Sequence, residues 1–262
     1  MSVAAVRTEG EVLDGCVVWT CEHASPRIPP GFSVRPEDRR WLRTHWGHDR
    51  GAAALVRALQ ARMGGPAVFS NFSRLLIDAN RSPHHPDLFR TRVEGHVLAH
   101  NVDVHPVERA RRVEQLHVPF HAAVDDVVGQ RVAAGVPTFL FSVHTFTSLY
   151  EGHPRSVELG VLFDECDEGA AGALLAGLWE EPGLEVAPNS PWSGMDGLIY
   201  SVARHGAAHG RTYLELEVRD DLLTGRDDGG PDDPVPLDVA GVGRIADVVA
   251  RALGPVVERW AR

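Results

Sequence analysis

Short apolar runs alternate with stretches of helical periodicity along most of this chain. The runs are rich in β-branched and aromatic residues and predict buried strands. They are CVVWTC (16–21), AVFSNFSRLLIDANR (67–81, one or two strands), PTFLFSVHTFT (137–147), VELGVLFDE (157–165) and RTYLELEVRDDLL (211–223). Helices are predicted from Pro36 to about Met63, over 107–134, 167–180, 196–209 and 239–261, with a surface loop over 224–238.

Strands separated by helices of this length predict an α/β fold: a mostly parallel, mixed sheet with helices on both faces. A chain of 262 residues is long enough for one sizeable core. We therefore expect one domain over residues 1–262.

The charge balance limits the classes of partner. The formal net charge of -10 disfavours a nucleic-acid partner, although a local group of arginines could receive a small anionic molecule. All 26 basic residues are arginine, so lysine-dependent Schiff-base and P-loop chemistry is excluded. We expect a small acidic substrate, while the sequence leaves the oligomeric state open.

The cysteines and the apolar segments bear on location. Cys16, Cys21 and Cys166 form no CxxC pair, which favours a reducing compartment over a disulfide framework. The N-terminal stretch has no apolar core of a signal peptide, and no segment approaches the roughly 18 apolar residues of a membrane span. The expectation is a cytoplasmic protein that does not bind membranes.

Three of the predicted strands end in polar groups that suit a reactive site. His23, His144 and Glu217 follow or terminate apolar runs. In a parallel sheet, ligands bind beyond the carboxyl ends of the strands, so these side chains are expected to meet there. Glu22 would point to the opposite face if its strand continued, which favours a structural role.

Two imidazoles and one carboxylate are a common ligand set for catalytic zinc. His23 and His144 would supply the imidazoles, and Asp49, near the start of a helix, is the favoured carboxylate. His45, four residues earlier, is an alternative ligand or an orienting residue. Glu217 is suited to move a proton from water to a leaving nitrogen. The alternative is that Asp49 is a helix-start acid and that Glu217 belongs, with Glu215, to an exposed acidic edge.

Several segments occur in an order that resembles the N-formylglutamate amidohydrolase family. They are CEHASPRIP, HWGHDRGA, FSRLLIDANRSP, FSVHTFT, NSPWSG, HG and LELEVRDDL, and together they cover roughly residues 15 to 225. The family in turn is remotely similar to zinc carboxypeptidases and aspartoacylases, which have an α/β sheet flanked by helices. A series of motifs in order is far more specific than any one of them.

The resemblance implies roles for individual residues. His23, Asp49 and His144 match the family's metal ligands, with one zinc ion as the implied cofactor, and Glu217 resembles the glutamate that activates water. The family's substrate-binding pair corresponds to Asn80 and Arg81, whose planar guanidinium can donate two parallel hydrogen bonds to a carboxylate. Further candidates for a second substrate carboxylate are Arg74 and Arg155.

The chain also departs from the family pattern. A histidine-rich segment, EGHVLAHNVDVHP (94–106), replaces a proline-glycine-asparagine stretch, with Asn101 as the counterpart of the family asparagine. Trp192 stands where relatives usually carry tyrosine. These positions are expected to line the substrate pocket, so they bear on which acyl group and amino acid are accepted.

The resulting expectation is a metal-dependent hydrolase of a small N-acyl amino acid. N-formyl-L-glutamate leads as the substrate, and formate and glutamate would be the products, a step expected in histidine breakdown. One alternative is a zinc hydrolase of another N-acyl amino acid or a short peptide. The other is a non-catalytic binder of acidic metabolites, against which the complete set of ligand and base residues argues.

Overall fold

The structure, a computed structural model, describes residues 4–225 and 235–261. Its strands are β1 (Val6–Glu9), β2 (Val17–Cys21), β3 (Ala67–Ser70), β4 (Arg92–Val93), β5 (His96–Val97), β6 (Phe139–Phe146), β7 (Leu149–Tyr150), β8 (His153–Pro154), β9 (Leu159–Leu162), β10 (Val186–Pro188) and β11 (Tyr213–Arg219). Its α-helices are α1 (Ala52–Met63), α2 (Pro106–Arg112), α3 (Val118–Ala133), α4 (Glu168–Trp179), α5 (Tyr200–His209) and α6 (Val239–Trp260).

Seven strands form one mixed sheet in the order β1, β3, β2, β6, β11, β9, β10. The four central strands β3, β2, β6 and β11 run parallel. At one side of the sheet, β1 is antiparallel to β3. At the other side, β9 is antiparallel to β11, and β10 pairs parallel with β9. The expected α/β architecture is confirmed, while β1 and β10 were not predicted.

Helices cover both faces of the sheet because the central strands are apolar on both sides. In β2, Val17 and Trp19 face a core cluster that includes residues of α1, α4 and α6. Val18 faces the opposite cluster, which includes residues of α3 and α5. A strand buried on both faces reads as a continuous apolar run, which is the pattern seen in the sequence.

The prediction of one helix from Pro36 to Met63 is wrong in its middle. A 3₁₀ helix covers Pro36–Arg43, and α1 begins only at Ala52. Gly51 has a φ of 84°, and a Cβ on Gly47 would lie 2.2 Å from the carbonyl oxygen of Leu42. These two glycines permit a tight loop between the helices, and that loop contains His45 and Asp49.

The apolar run 67–81 forms one strand, not two. After Ser70 the main chain bonds to other loops: the amide of Ser73 donates to the carbonyl of Arg27 (2.7 Å), and the amide of Asp78 donates to the carbonyl of Leu88 (3.0 Å). The buried apolar side chains Leu75, Leu76 and Ile77 therefore anchor a loop. This loop carries the polar residues 73–81 to the edge of the sheet.

The other predicted elements agree with the structure apart from their ends. The long helix over 107–134 is formed by α2 and α3, which are joined by a π-helical turn at Val113–His117. The segment 196–209 contains α5, preceded by a 3₁₀ turn at Gly194–Asp196. Of the predicted surface loop over 224–238, residues 226–234 lie outside the described residues. Within the described ranges, no helix is both long and apolar enough to cross a membrane.

One stability prediction concerns Arg131, whose side chain is fully buried at the end of α3. Its guanidinium donates to four main-chain carbonyls, those of Val12, Asp14, Gly15 and Pro137. Replacing it by methionine (R131M) removes these donors and is expected to lower the free energy of unfolding by about 3 kcal/mol. Urea denaturation measures the change. The matched control is R244M at an exposed position of α6, which should stay within about 0.5 kcal/mol of the parent; equal effects would contradict the interpretation.

Candidate active site

The candidate site lies at the carboxyl ends of three adjacent parallel strands. β2, β6 and β11 are neighbours in the sheet, and the register places Glu217 of β11 beside His144 of β6. His23 follows the end of β2, and its carbonyl accepts a hydrogen bond from the amide of Asp49 at 2.9 Å. The strand ends and the loop before α1 therefore bring these four side chains into one pocket, as the sequence predicts.

Three buried side chains form a compact group of possible metal ligands. The candidate ligand atoms of His23, Asp49 and His144 all lie within 4.8 Å of one another. Oδ2 of Asp49 is 2.8 Å from Nδ1 of His144 and 3.4 Å from Nδ1 of His23. Nδ1 of His23 has no hydrogen-bond partner among the described residues, although it is buried. Two imidazole nitrogens converging on one carboxylate could hold a divalent transition metal.

The outer nitrogen of each imidazole contacts a second carboxylate. Nε2 of His23 lies 2.6 Å from Oδ1 of Asp78, and Nε2 of His144 lies 3.1 Å from Oε2 of Glu22. Metal-binding histidines usually donate their other ring N–H in this way, which fixes the tautomer and the orientation of the ring. Glu22 reaches the site because β2 ends at Cys21, so strand alternation does not apply to it. Sequence reasoning missed Asp78, although it lies in the DANR motif.

The metal-ligand group and the carboxylates that surround it together carry more negative than positive charge. Burial alone would raise the pKa of Asp49, but the His23 and His144 imidazoles outweigh it and hold that pKa below its usual range. Burial would likewise lower the pKa of His144, but the surrounding carboxylates, Glu215 first, raise it well above its usual range. A proton on His144 thus partly offsets the excess negative charge. Metal binding requires a neutral imidazole, so a divalent cation would take the place of that proton.

His45, the alternative ligand, lies in the pocket but outside this group. Its ring packs against Trp46, with ring centroids 4.7 Å apart. Burial, together with the charges of Arg50, Arg74 and Arg155, lowers the pKa of His45 to about 4. His45 is therefore neutral at physiological pH, and the geometry favours Asp49 as the third ligand.

Glu217 is buried, with 5% of its surface exposed, and faces the metal-ligand group. Its Oε2 has no hydrogen-bond partner within the described part of the chain, and burial raises its pKa to about 8. Glu215 is also buried, so the alternative of an exposed acidic edge is wrong. A carboxyl group with one uncommitted oxygen and a pKa near neutrality is suited to accept and return a proton.

The two family substrate-binding residues occupy different environments. The side chain of Asn80 is committed to the protein, because Oδ1 accepts from the amide of Ser201 (2.9 Å) and Nδ2 donates to Oε2 of Glu215 (3.1 Å). Arg81 lines the pocket and uses one nitrogen, Nη1, to donate to the carbonyls of Asn80 and Leu198. Its remaining N–H groups give Arg81 the capacity to hold a carboxylate.

The other two arginine candidates differ in their contacts. Arg74 is ion-paired on the metal side of the pocket: Nη2 lies 2.7 Å from Asp78, and Nη1 lies 3.6 Å from Asp49. Arg155 lines the pocket against aromatic rings, with its guanidinium 4.4 Å from the ring centroid of Tyr150. Arg155 is therefore better placed than Arg74 to contact a substrate anion.

Of the two positions that depart from the family pattern, Trp192 and Asn101, one lines the pocket and the other does not. Trp192 lines the pocket, as expected. Asn101 does not: its buried amide donates to the carbonyls of Leu75 and Arg90, each at 2.8 Å, and it accepts from Arg112. The expectation that Asn101 lines the pocket is wrong, because its side chain has these internal partners. Arg90, whose carbonyl it holds, lines the pocket and was missed by sequence reasoning.

A model of the N-formylglutamate amidohydrolase family matches residues 15–224 of the chain. Among solved structures, a gene product of Agrobacterium tumefaciens is 31% identical and superposes with a TM-score of 0.84, covering 98% of this chain and 96% of that one. The N-formylglutamate amidohydrolase from Ralstonia eutropha JMP134 is 19% identical, with a TM-score of 0.72 and 98% of each chain covered, a likeness that shows the fold alone. The curated proteins contain no significant match.

Proposed function

This chain belongs to the N-formylglutamate amidohydrolase family, and on that premise we propose that it is a zinc-dependent hydrolase of a small N-acyl amino acid. N-formyl-L-glutamate is the leading substrate, with formate and L-glutamate as products. The observation that carries the proposal is the position of Glu217 beside His144 at the buried group of two histidines and one aspartate. Such a reaction is expected as a step of histidine breakdown. We propose that it takes place in the cytoplasm.

His23, Asp49 and His144 would hold one zinc ion. Their fit rests on the unpartnered Nδ1 atom of His23 and on the carboxylates that fix both outer imidazole nitrogens. When bound, the ion would polarise the acyl carbonyl and lower the pKa of a water molecule. Asp78 and Glu22 orient the imidazoles so that both Nδ1 atoms point to the same place.

Glu217 would move the proton during hydrolysis. Its free carboxylate oxygen accepts a proton from the attacking water and then delivers it to the departing amine nitrogen. Burial raises the pKa of Glu217 to about 8 without a cation, and a cation bound by the neighbouring ligands would favour the carboxylate form that accepts the proton. Arg81 would hold the α-carboxylate, while Asn80 keeps Glu215 and the amide of Ser201 in place.

The direct test is the release of formate from N-formyl-L-glutamate by zinc-reconstituted protein. N-acetyl-L-glutamate and N-acetyl-L-aspartate are assayed in parallel, and a chelated sample is the control. Chelator-sensitive formate release supports both the reaction and the substrate. Preferential cleavage of an acetyl compound would assign an N-acetyl amino acid as the substrate in place of N-formyl-L-glutamate. No cleavage of any of the three compounds despite stoichiometric zinc would overturn the proposal.

A second prediction concerns Asp78, which contacts the outer nitrogen of His23. Replacing it by asparagine (D78N) keeps the shape of the side chain but removes its charge. Loss of such an orienting carboxylate typically costs about 10- to 100-fold in metal affinity, and that loss is expected here. Competition with a fluorescent zinc chelator gives the affinity directly.

The matched control is D126N, because Asp126 is an exposed residue of α3. It removes one negative charge without touching an imidazole. The idea that Asp78 orients His23 fails if both variants retain the parent affinity, or if both lose it to the same degree.

A further inference from the structure

Three consecutive main-chain carbonyls around Asn80 face side-chain donors. The carbonyl of Ala79 lies 3.0 Å from Nε2 of His121, and that of Arg81 lies 2.9 Å from Nε2 of His117. The carbonyl of Asn80 accepts from Nη1 of Arg81 itself at 2.8 Å. A carbonyl oxygen can only accept, so both imidazoles donate through Nε2. Two histidines therefore hold the main chain on either side of Asn80.

His117 and His121 lie one helical turn apart. His117 ends the π-helical turn, and His121 belongs to the first half of α3. Residues four apart share one face of a helix, and here the two buried rings lie 4.3 Å apart between centroids. Neither ring lines the pocket. Any effect of the two histidines on a substrate therefore has to pass through the segment that they hold.

A chain of side chains behind His121 determines which of its nitrogens carries a proton. Nδ1 of His121 lies 2.8 Å from Nε2 of His205, and Nδ1 of His205 lies 2.6 Å from Oδ1 of Asp125. Burial lowers the pKa of His121, so its ring is neutral. Because Nε2 of His121 donates to Ala79, its Nδ1 must accept from His205. The short contact beyond requires a proton between His205 and Asp125, which orients the His205 ring.

The chemistry of this chain suits positioning better than proton transfer or metal binding. The chain ends at the carbonyl of Ala79, which has no proton to pass on to Glu217. Among the described residues, the groups whose ligand atoms converge closely enough for a metal ion include neither histidine of the chain. What the chain does is connect α5, through His205, and α3, through His121, to one loop carbonyl.

The segment is also fixed from α5 directly. The amide of Ser201 donates to Oδ1 of Asn80 at 2.9 Å, so the side chain between the two held carbonyls cannot turn freely. Arg81 follows at once and lines the pocket. Its guanidinium donates to the carbonyl of Asn80, so the direction of the guanidinium depends on where that main chain lies.

We propose that His117, His121 and His205 are positioning residues, which hold the main chain at Ala79 and Arg81 so that the Arg81 guanidinium meets the α-carboxylate of the substrate. The inference rests on the proposed function, because the role of Arg81 comes from there. It also gives a function to the His205-Gly206 motif of the sequence, whose histidine lies outside the pocket.

The kinetic test compares H117F and H121F on N-formyl-L-glutamate and on N-formyl-L-isoglutamine, in which the α-carboxylate is an amide. Each variant is expected to lower kcat/KM for the first compound about 10-fold, mainly through KM, the range of one lost hydrogen bond. The second compound offers Arg81 no carboxylate, so its kcat/KM should hardly change. H121Q keeps a donor near the position of Nε2 and should restore most of the loss.

The matched control is H209F. His209 lies on α5 and contacts Asp125 at 3.3 Å, but it takes no part in the chain to Ala79. H209F should keep the KM of the parent, whereas H205F should show a smaller loss in the same direction as H121F. Equal losses on both compounds, or a loss in H209F as large as that in H121F, would reduce the histidines to packing residues and overturn the inference.

Hydrogen exchange separates this inference from the proposed function, because it requires no substrate. The amide of Asn80 donates to Oδ1 of Asp78 at 2.9 Å, and the amide of Arg81 donates to the carbonyl of Asp78 at 3.2 Å. Both amides should exchange at least about 10-fold faster in H117F and H121F than in the parent, as measured by mass spectrometry.

Exchange in the core strand β6 should remain at the parent rate. If the parent cleaves neither formyl compound, the proposed function fails, while faster exchange confined to the segment around Asn80 still supports its positioning by the histidines. Unchanged exchange in that segment, or an equal rise in β6, would overturn the inference.

Discussion

The variant E217Q is expected to lose turnover on the order of 1000-fold while retaining its metal, since general acid-base catalysis contributes factors of this size. Glutamine preserves the shape of Glu217 but cannot accept a proton from water or return one to the leaving nitrogen. The residue contributes no atom to the group formed by His23, Asp49 and His144, so that group should remain intact. Formate release gives the rate, and inductively coupled plasma mass spectrometry gives zinc per protein.

A matched control for E217Q is E165Q, at an exposed position that does not line the pocket. It should retain the activity of the parent. If E217Q keeps more than about a tenth of the parent rate, Glu217 is not the proton carrier, given the 10²- to 10⁴-fold effect of such groups. Loss of zinc in E217Q would instead make it a ligand, which the neighbouring group of His144, Glu215 and Glu217 allows as a competing arrangement.

The part of the site that the sequence predicts is the part encoded by strand ends. His23, His144 and Glu217 follow or end apolar runs, and adjacent parallel strands bring such positions to one edge of the sheet. A prediction of this kind needs no knowledge of loops. For the same reason the central strands β2, β6 and β11 were predicted, whereas the short edge strands β1 and β10, with partly exposed side chains, were not.

The residues that sequence reasoning missed are placed by loops. Asp78 and Arg90 lie in segments whose main chain bonds to other loops, for example through the amide of Asp78 and the carbonyl of Leu88. Hydrophobic periodicity carries no information on such paths. Helical periodicity likewise cannot show the break before α1, because that break depends on backbone space at Gly47 and on the positive φ of Gly51.

The variant D49A is expected to lower zinc affinity on the order of 1000-fold. Asp49 is one of three protein ligands, and the loss of roughly a third of the binding free energy of a zinc site corresponds to a factor of about this size. The carboxylate of Asp49 lies between the Nδ1 atoms of His23 and His144, at 3.4 and 2.8 Å. Its removal leaves two imidazoles without the anion that completes the set, so formate release should fall with the zinc content.

H45A is the matched comparison. His45 lines the pocket and lies outside the ligand group, so H45A should keep one zinc per chain. Zinc loss in H45A together with zinc retention in D49A would assign the third ligand to His45, and retention in both would place the metal away from the loop between the 3₁₀ helix and α1.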